Sequence, residues 1–324
     1  MAMTAAASAS YNLSGGALRE DLQNIIYDIS PTETWFMTKA ARLTAKSTTH
    51  EWLTDSLTAA SATNAALEGD AFSAQARTLP SRLKNYTQIS LKNFEVTGTA
   101  QKVDNAGMRE LLAYHTARAA KELKRDMESA MLQNNAPTTG GTGSARVSAS
   151  VENWIYTNNH IHTRTTTAST PAPSSGIAQA VTDGSATAFI KADLDAGLAQ
   201  CWSCGGEVDT IAVGATLYRA ISDFSSIATR FRDVASRQQA QIIGAADVYV
   251  SPYGNHNIML SRWMRVDTVL GLDMKTWGVA YLRPFQQIEI AKVGDAERRT
   301  ILAEWTLVAK SPLANFKFTE ANNT

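Results

Sequence analysis

The chain has 324 residues, enough for a large buried core or two, so one to three structural regions are expected. Hydrophobic side chains make up 44% and charged ones 19%, an ordinary balance for a globular protein. Thirty basic and thirty acidic residues cancel, which excludes the overall basic excess of a tight nucleic-acid binder while leaving room for a local basic face.

The opening "MAMTAAASASYNLSGG" has neither a charged n-region nor an apolar core, so it does not read as a secretory leader. Its small polar residues read as a flexible arm. No window approaches the roughly eighteen apolar residues that a membrane helix needs. Two cysteines, Cys201 and Cys204, cannot staple a fold of this size. The expectation is a soluble protein made in a reducing cytoplasm, with no membrane partner.

"LREDLQNIIYDIS" places Leu18, Leu22, Ile25, Ile26 and Ile29 at helical spacing and stops before Pro31. Trp35, Phe36 and Met37 then form a cluster that must bury against something. Around "THEWLTDSL" and "NYTQISLKNFEVTGTAQ" the pattern alternates as in strands, with Ile89, Leu91 and, less regularly, Phe94 and Val96. Between them "TAASATNAALEGDAFSAQARTLPSR" has few large apolar residues. Two strands flanking such a stretch predict a long β excursion with no core of its own, stable only if it lies on something else, such as another chain.

"DNAGMRELLAYHTARAAKELKRDMESAMLQNN" predicts a helix of roughly 30 residues, or about 45 Å, capped by Asp104 or Asn105. Its apolar stripe is Met108, Leu112, Ala119, Leu123, Met127 and Met131, opposite a charged face. Loops rich in Thr, Ser, Gly and Pro follow. A second compact region starts near Phe189, with helix "IKADLDAGLAQCWS", strand "DTIAVG", helix "ATLYRAISDF" and a hairpin turning at "SPYGN". A long β hairpin closes the chain, from "WGVAYLRPFQQIEIAK" through "GDAE" to "RTILAEWTLVAKSP".

Candidate chemistry begins with "CWSCGG". A redox C-x-x-C gains its reactivity at a helix N-terminus, where the dipole stabilises a thiolate. Here the pair closes a helix at its C-terminal end, with Cys201 on the apolar face, and Gly205 and Gly206 stop the helix. Zinc would need two more ligands, and only His160 and His162 offer themselves, at a spacing typical of no zinc module. None of the histidines His50, His115, His160, His162 and His256 falls in a catalytic frame, and no phosphate-binding glycine loop is present. No catalytic, cofactor or metal residues are assigned. The competing reading is a cytosolic thiol-redox or zinc protein using Cys201 and Cys204.

The order of these parts, together with "LREDLQNIIYDISPTETWFM", "THEWLTDSLTAA", "NYTQISLKNFEVTGTAQKVDNAG", "ELKRDMESAML", "WGVAYLRPFQQIEIAKVGDAE" and "EWTLVAKSP", resembles the tailed-bacteriophage major capsid proteins of the phage Hong Kong 97 type. The likeness runs from about Leu18 to Pro312. It implies an α+β fold: an N-terminal arm at about 1–43, an extended β E-loop at 44–85, a P-domain at 86–188 and 266–324 built on a spine helix at about 104–134, and an α/β A-domain at 189–265. It implies a non-enzymatic, cofactor-free shell protein that self-assembles into hexamers and pentamers, forming an icosahedral capsid around double-stranded DNA. Its partners would be its own copies, a portal, scaffold or cement proteins, and DNA held without sequence preference. It would be assembled in the bacterial cytoplasm and reside in the virion. Trp52, Asp55, Glu68, Asp70, Phe72 and Arg77 on the E-loop are then expected to grip an adjacent subunit, and the 225–237 loops to face the capsomer centre.

Overall fold

The computed structural model describes residues 30–65, 67–69, 77, 79–103, 108, 110–160, 170–184, 186–229, 248–292 and 294–322. The expected helix at 18–29 and the 230–237 part of the expected central loops lie outside them. In chain order the elements are α1 (Trp35–Lys39), β1 (Ala41–Thr44), β2 (Thr49–Thr54), β3 (Ser81–Tyr86), β4 (Gln88–Thr97), α2 (Gly98–Lys102), α3 (Leu111–Leu132), α4 (Val151–Trp154), β5 (Asn159–His160), β6 (Thr187–Ala188) and α5 (Lys191–Ser203). There follow β7 (Thr210–Val213), α6 (Ala215–Thr229), β8 (Val248–Ser251), β9 (Gly254–Leu260), β10 (Val269–Leu272), β11 (Trp277–Ile290), β12 (Ala296–Ala309), β13 (Phe316–Phe318) and β14 (Ala321–Asn322).

One layer is a four-stranded sheet in the order β1-β11-β12-β4, built on the long β11–β12 hairpin. Helix α3 lies across one face. Its stripe of Ala119, Leu123, Met127 and Met131 is buried against Ile301, Ala303 and Trp305 of β12, and Phe36, Trp154 and Trp277 complete the core. The 3.6-residue spacing of that stripe is what makes α3 a helix with one face to bury. It starts at Leu111, however, with Glu110 rather than Asp104 or Asn105 at its cap position, and Asp104 to Gly107 lie outside the described residues. Met108 therefore precedes the helix.

The second layer is a six-stranded sheet in the order β5-β13-β10-β7-β9-β8. Helices α5 and α6 cover one face, where Leu194, Leu198 and Cys201 meet Ile211, Val213, Ile258 and Phe316. Phe316 fits because Gly271 and Gly197 flank it: a Cβ on Gly271 would stand 2.0 Å from its ring and one on Gly197 2.9 Å. Ala212, Leu270 and Leu272, facing the other way, join the core of the first layer. This sheet draws β5, β10 and β13 from outside residues 189–265, so its hydrogen bonding crosses the boundaries expected from sequence. The β8–β9 hairpin turns at Ser251–Gly254 as expected.

A separate two-stranded ribbon pairs β2 antiparallel with β3 from Thr49↔Tyr86 to Thr54↔Ser81.

Candidate assembly surfaces

At the cysteines, the end of α5 is a Schellman closure: Gly206 N–H donates to the Cys201 carbonyl at 2.9 Å and Gly205 N–H to Trp202 at 3.0 Å. Gly205 sits at φ +83°, the left-handed conformation this closure needs. Cys201 is buried and Cys204 exposed, and both are free thiols. Burial pushes the Cys201 thiol up to about 12, the opposite of an activated thiolate. Among the described residues no group of three or more His, Cys, Asp or Glu side chains could hold a metal. His162 lies outside the described residues. His256 is occupied structurally, with Nδ1 2.6 Å from the Val208 carbonyl and Nε2 2.6 Å from Ser251 Oγ.

The root of the ribbon is built with far more polar precision. Asn85, fully buried, donates from Nδ2 to the Leu307 carbonyl at 2.8 Å and accepts from Ala149 N–H at 2.9 Å. Thr87, at the break between β3 and β4, donates its hydroxyl to Glu304 Oε1 at 2.8 Å. Glu304 is also paired with Arg146 at 2.7 Å and Arg283 at 2.8 Å, the latter at a register shift in β11. On the other edge, Lys84 N–H donates to the Gly176 carbonyl at 2.8 Å. Gly176 has φ +79°, and a Cβ there would stand 2.2 Å from the Arg82 carbonyl oxygen. Three separate segments thus fix the direction in which the ribbon leaves the body.

Trp52 belongs to this root. Its indole N–H donates to the Ala309 carbonyl at 2.9 Å and its ring lies 5.2 Å from that of Trp154. Trp52, expected at a subunit contact, is half-buried, and its one donor is satisfied inside its own chain. Of the other named loop residues, Asp55, Glu68 and Arg77 are exposed, while Asp70 and Phe72 lie outside the described residues. Sequence reasoning missed the leucines. Leu53 is 66% exposed, Leu57 96%, Leu67 81% and Leu79 85%. Large aliphatic side chains bare along one excursion mark an unpartnered surface. Large aliphatic residues set in and beside a small-residue stretch were the available signal.

Two buried carboxylates hold the body together. Glu128 of α3 accepts from Phe36 N–H at 2.7 Å and Met37 N–H at 2.8 Å, so it caps the start of α1. Burial pushes it up to about 7, against the pull of those two N–H groups. Between the layers, Glu152 is likewise raised by burial to about 7. Arg265 lies 3.4 Å from it and pairs with Asp183 at 2.8 Å and Asp267 at 3.1 Å. Lys317, lowered by burial, donates to the Glu152 carbonyl and to Thr170 Oγ1, each at 2.6 Å.

What stands out is an anchored ribbon whose described leucines are bare. Residues 3–322 match the family model described as the SU10 major capsid protein. The chain belongs to that family. It is thus the major capsid protein of a tailed phage. The major capsid protein of Escherichia phage Phieco32 is 25% identical over 335 aligned positions, covering 94% of each chain. Among solved structures, the capsid of cyanophage A-1(L) superposes with a TM-score of 0.68 at 11% identity, over 94% of this chain and 97% of that one. The capsid of the native GTA particle gives 0.61 at 12% identity, over 98% and 100%. Likeness at that identity speaks to the fold, which is the Hong Kong 97 type expected from the sequence. For a major capsid protein the working residues lie on surfaces between copies, and the thiol-redox and zinc readings have no support.

Proposed function

We propose that this major capsid protein assembles as hexamers and pentamers that close an icosahedral shell around double-stranded DNA, catalysing no reaction and using no cofactor. In this reading residues 1–43 are the N-terminal arm, 44–85 the E-loop, 86–188 with 266–324 the P-domain and 189–265 the A-domain. Asp55, Glu68, Asp70, Phe72 and Arg77 contact an adjacent subunit, while Trp52 holds the loop's root. The observation that carries the reading is the rigidly rooted 49–86 ribbon, whose leucines are bare in the single chain and can be covered by a neighbouring copy. Charge neutrality suits a container whose DNA is held by confinement rather than by site binding. Portal and scaffold or cement proteins join during assembly in the bacterial cytoplasm.

Electron microscopy and size exclusion of the purified protein test this: rings or shells are expected, and a persistent monomer at high concentration overturns it. Deleting residues 60–75 should leave a folded subunit that fails to close shells. A deletion variant that still assembles normally would remove the loop from the mechanism.

A further inference from the structure

Strand β13 turns Phe316 and Phe318 toward the core under α5 and α6, so Lys317 between them faces the other way, toward the first layer. There it is fully buried. The register sets Asn159 of β5 on one side of it and the buried Leu270 of β10 on the other. Residues in register project to the same face of a sheet, so the Asn159 amide and the Lys317 amine are neighbours. Thr170 Oγ1 joins them: it accepts from Lys317 Nζ at 2.6 Å and from Asn159 Nδ2 at 3.0 Å. The amine's other acceptor among the described residues is the Glu152 carbonyl, so both acceptors are neutral. Two buried oxygens of this group, Asn159 Oδ1 and Glu152 Oε1, have no hydrogen-bond partner among the described residues. Buried acceptors left without a donor call for an explanation.

We infer that Lys317 and Asn159 join through an isopeptide bond within one chain. Lys317 Nζ attacks Asn159 Cγ; the Nζ–Cγ bond forms, the Cγ–Nδ2 bond breaks, and Nδ2 leaves as ammonia with the proton that Nζ gives up. Nothing is oxidised or reduced, and no co-reactant enters. The site meets each need of that step. The nucleophile must be an uncharged amine, and burial lowers Lys317 toward that form. The amide carbonyl must be polarised by a donor. Burial raises Glu152 toward its protonated form, whose O–H is the kind of donor Asn159 Oδ1 lacks. A proton must pass from the attacking to the leaving nitrogen, and both already lie on the Thr170 hydroxyl. The product suits its place as well. Strand β5 is a two-residue strand at the sheet edge, too short to hold itself there by its own ladder. Both cysteines are free, so no disulfide ties it. An amide between β5 and β13 would lock this edge permanently in a reducing environment. The event happens once, on the chain itself, and goes beyond the shell reading without giving the protein a substrate.

Mass spectrometry of the denatured full-length wild-type chain tests this and needs no variant to fold. The expected mass is that of the sequence less one ammonia, with a branched tryptic fragment in which Asn159 and Lys317 are linked. A full sequence mass, with the two residues in separate unmodified fragments, overturns the inference. So does an ammonia loss located at another residue. Asn159→Ala keeps the buried lysine and removes the carbonyl it attacks. That chain should show neither the ammonia loss nor the branched fragment, and a loss that persists in it also overturns the inference. Glu152→Gln, folded by circular dichroism, should cross-link far less completely than wild type. Cross-linking as complete as in the wild type would overturn the role given to the Glu152 carboxyl.

Discussion

Replacing Glu128 with Gln sets two opposing effects against each other. Oε1 and Oε2 each accept a backbone N–H of α1, at 2.7 and 2.8 Å, and an amide can accept only one while turning its NH2 toward the other. Counting hydrogen bonds alone therefore predicts a loss of stability. Burial works the other way and is the larger cause, lifting the carboxyl from 4.5 to about 7. With the folded value above the unfolded one, the folded state holds the extra proton between those limits. The group's contribution is complete below about pH 4.5 and falls as pH rises to about 7. At 1.4 kcal/mol per unit, the difference amounts to about 3 kcal/mol. A protonated Glu carries one O–H donor and a Gln two N–H donors, and each keeps a carbonyl oxygen that can accept from one of the two α1 N–H groups. Glu128→Gln should thus match the wild type near pH 4.5 and exceed it by up to about 3 kcal/mol at pH 8. Urea unfolding of the isolated subunit at both pH values measures the difference, with other titrations cancelling between variants. A variant less stable than wild type at pH 8, or a difference independent of pH, would refute the reasoning.

Gly176→Ala forces a side chain into a left-handed position and against the Arg82 carbonyl. It should destabilise the subunit by more than the 1–2 kcal/mol of the backbone term alone, seen as a lowered melting temperature, and should slow shell formation. Trp52→Phe keeps an aromatic ring beside Trp154 but leaves the Ala309 carbonyl without its donor. A loss of about 1 kcal/mol is expected in urea unfolding, with assembly retained; failed assembly in a folded variant would place Trp52 at the interface. Cys204→Ser should assemble with unchanged yield by electron microscopy, since its thiol is exposed and in no disulfide.

Much of this molecule was readable from spacing. The stripe from Leu112 to Met131, the closing β hairpin, the "SPYGN" turn and the Gly205–Gly206 stop after Cys201 are local patterns. Each reflects a rule that acts within a few residues: helical periodicity, strand propensity, a glycine at positive φ. The loop's lack of a core was equally visible in its composition. Spacing could not reach the helix start, because Met108 continues the stripe by sequence but precedes the first helical turn.

The surfaces were a different matter. Alternation along β4 marks a strand but does not say which face is covered. Pairing with β12 set that, turning Phe94 and Val96 toward α3 and leaving Ile89 and Leu91 in the open. Nothing near Trp52 in sequence shows that Ala309, some 250 residues later, accepts its indole proton. Glu128 is one more charge on a charged helix until Phe36 and Met37, about ninety residues earlier, meet it. The sequence by itself determined the elements, the family and the presence of an unsupported loop, because those follow from short-range periodicity and from motifs shared along the whole chain. Only the tertiary structure decided which apolar side chains stay bare and which polar groups are satisfied, because burial belongs to the neighbours that long-range register brings in.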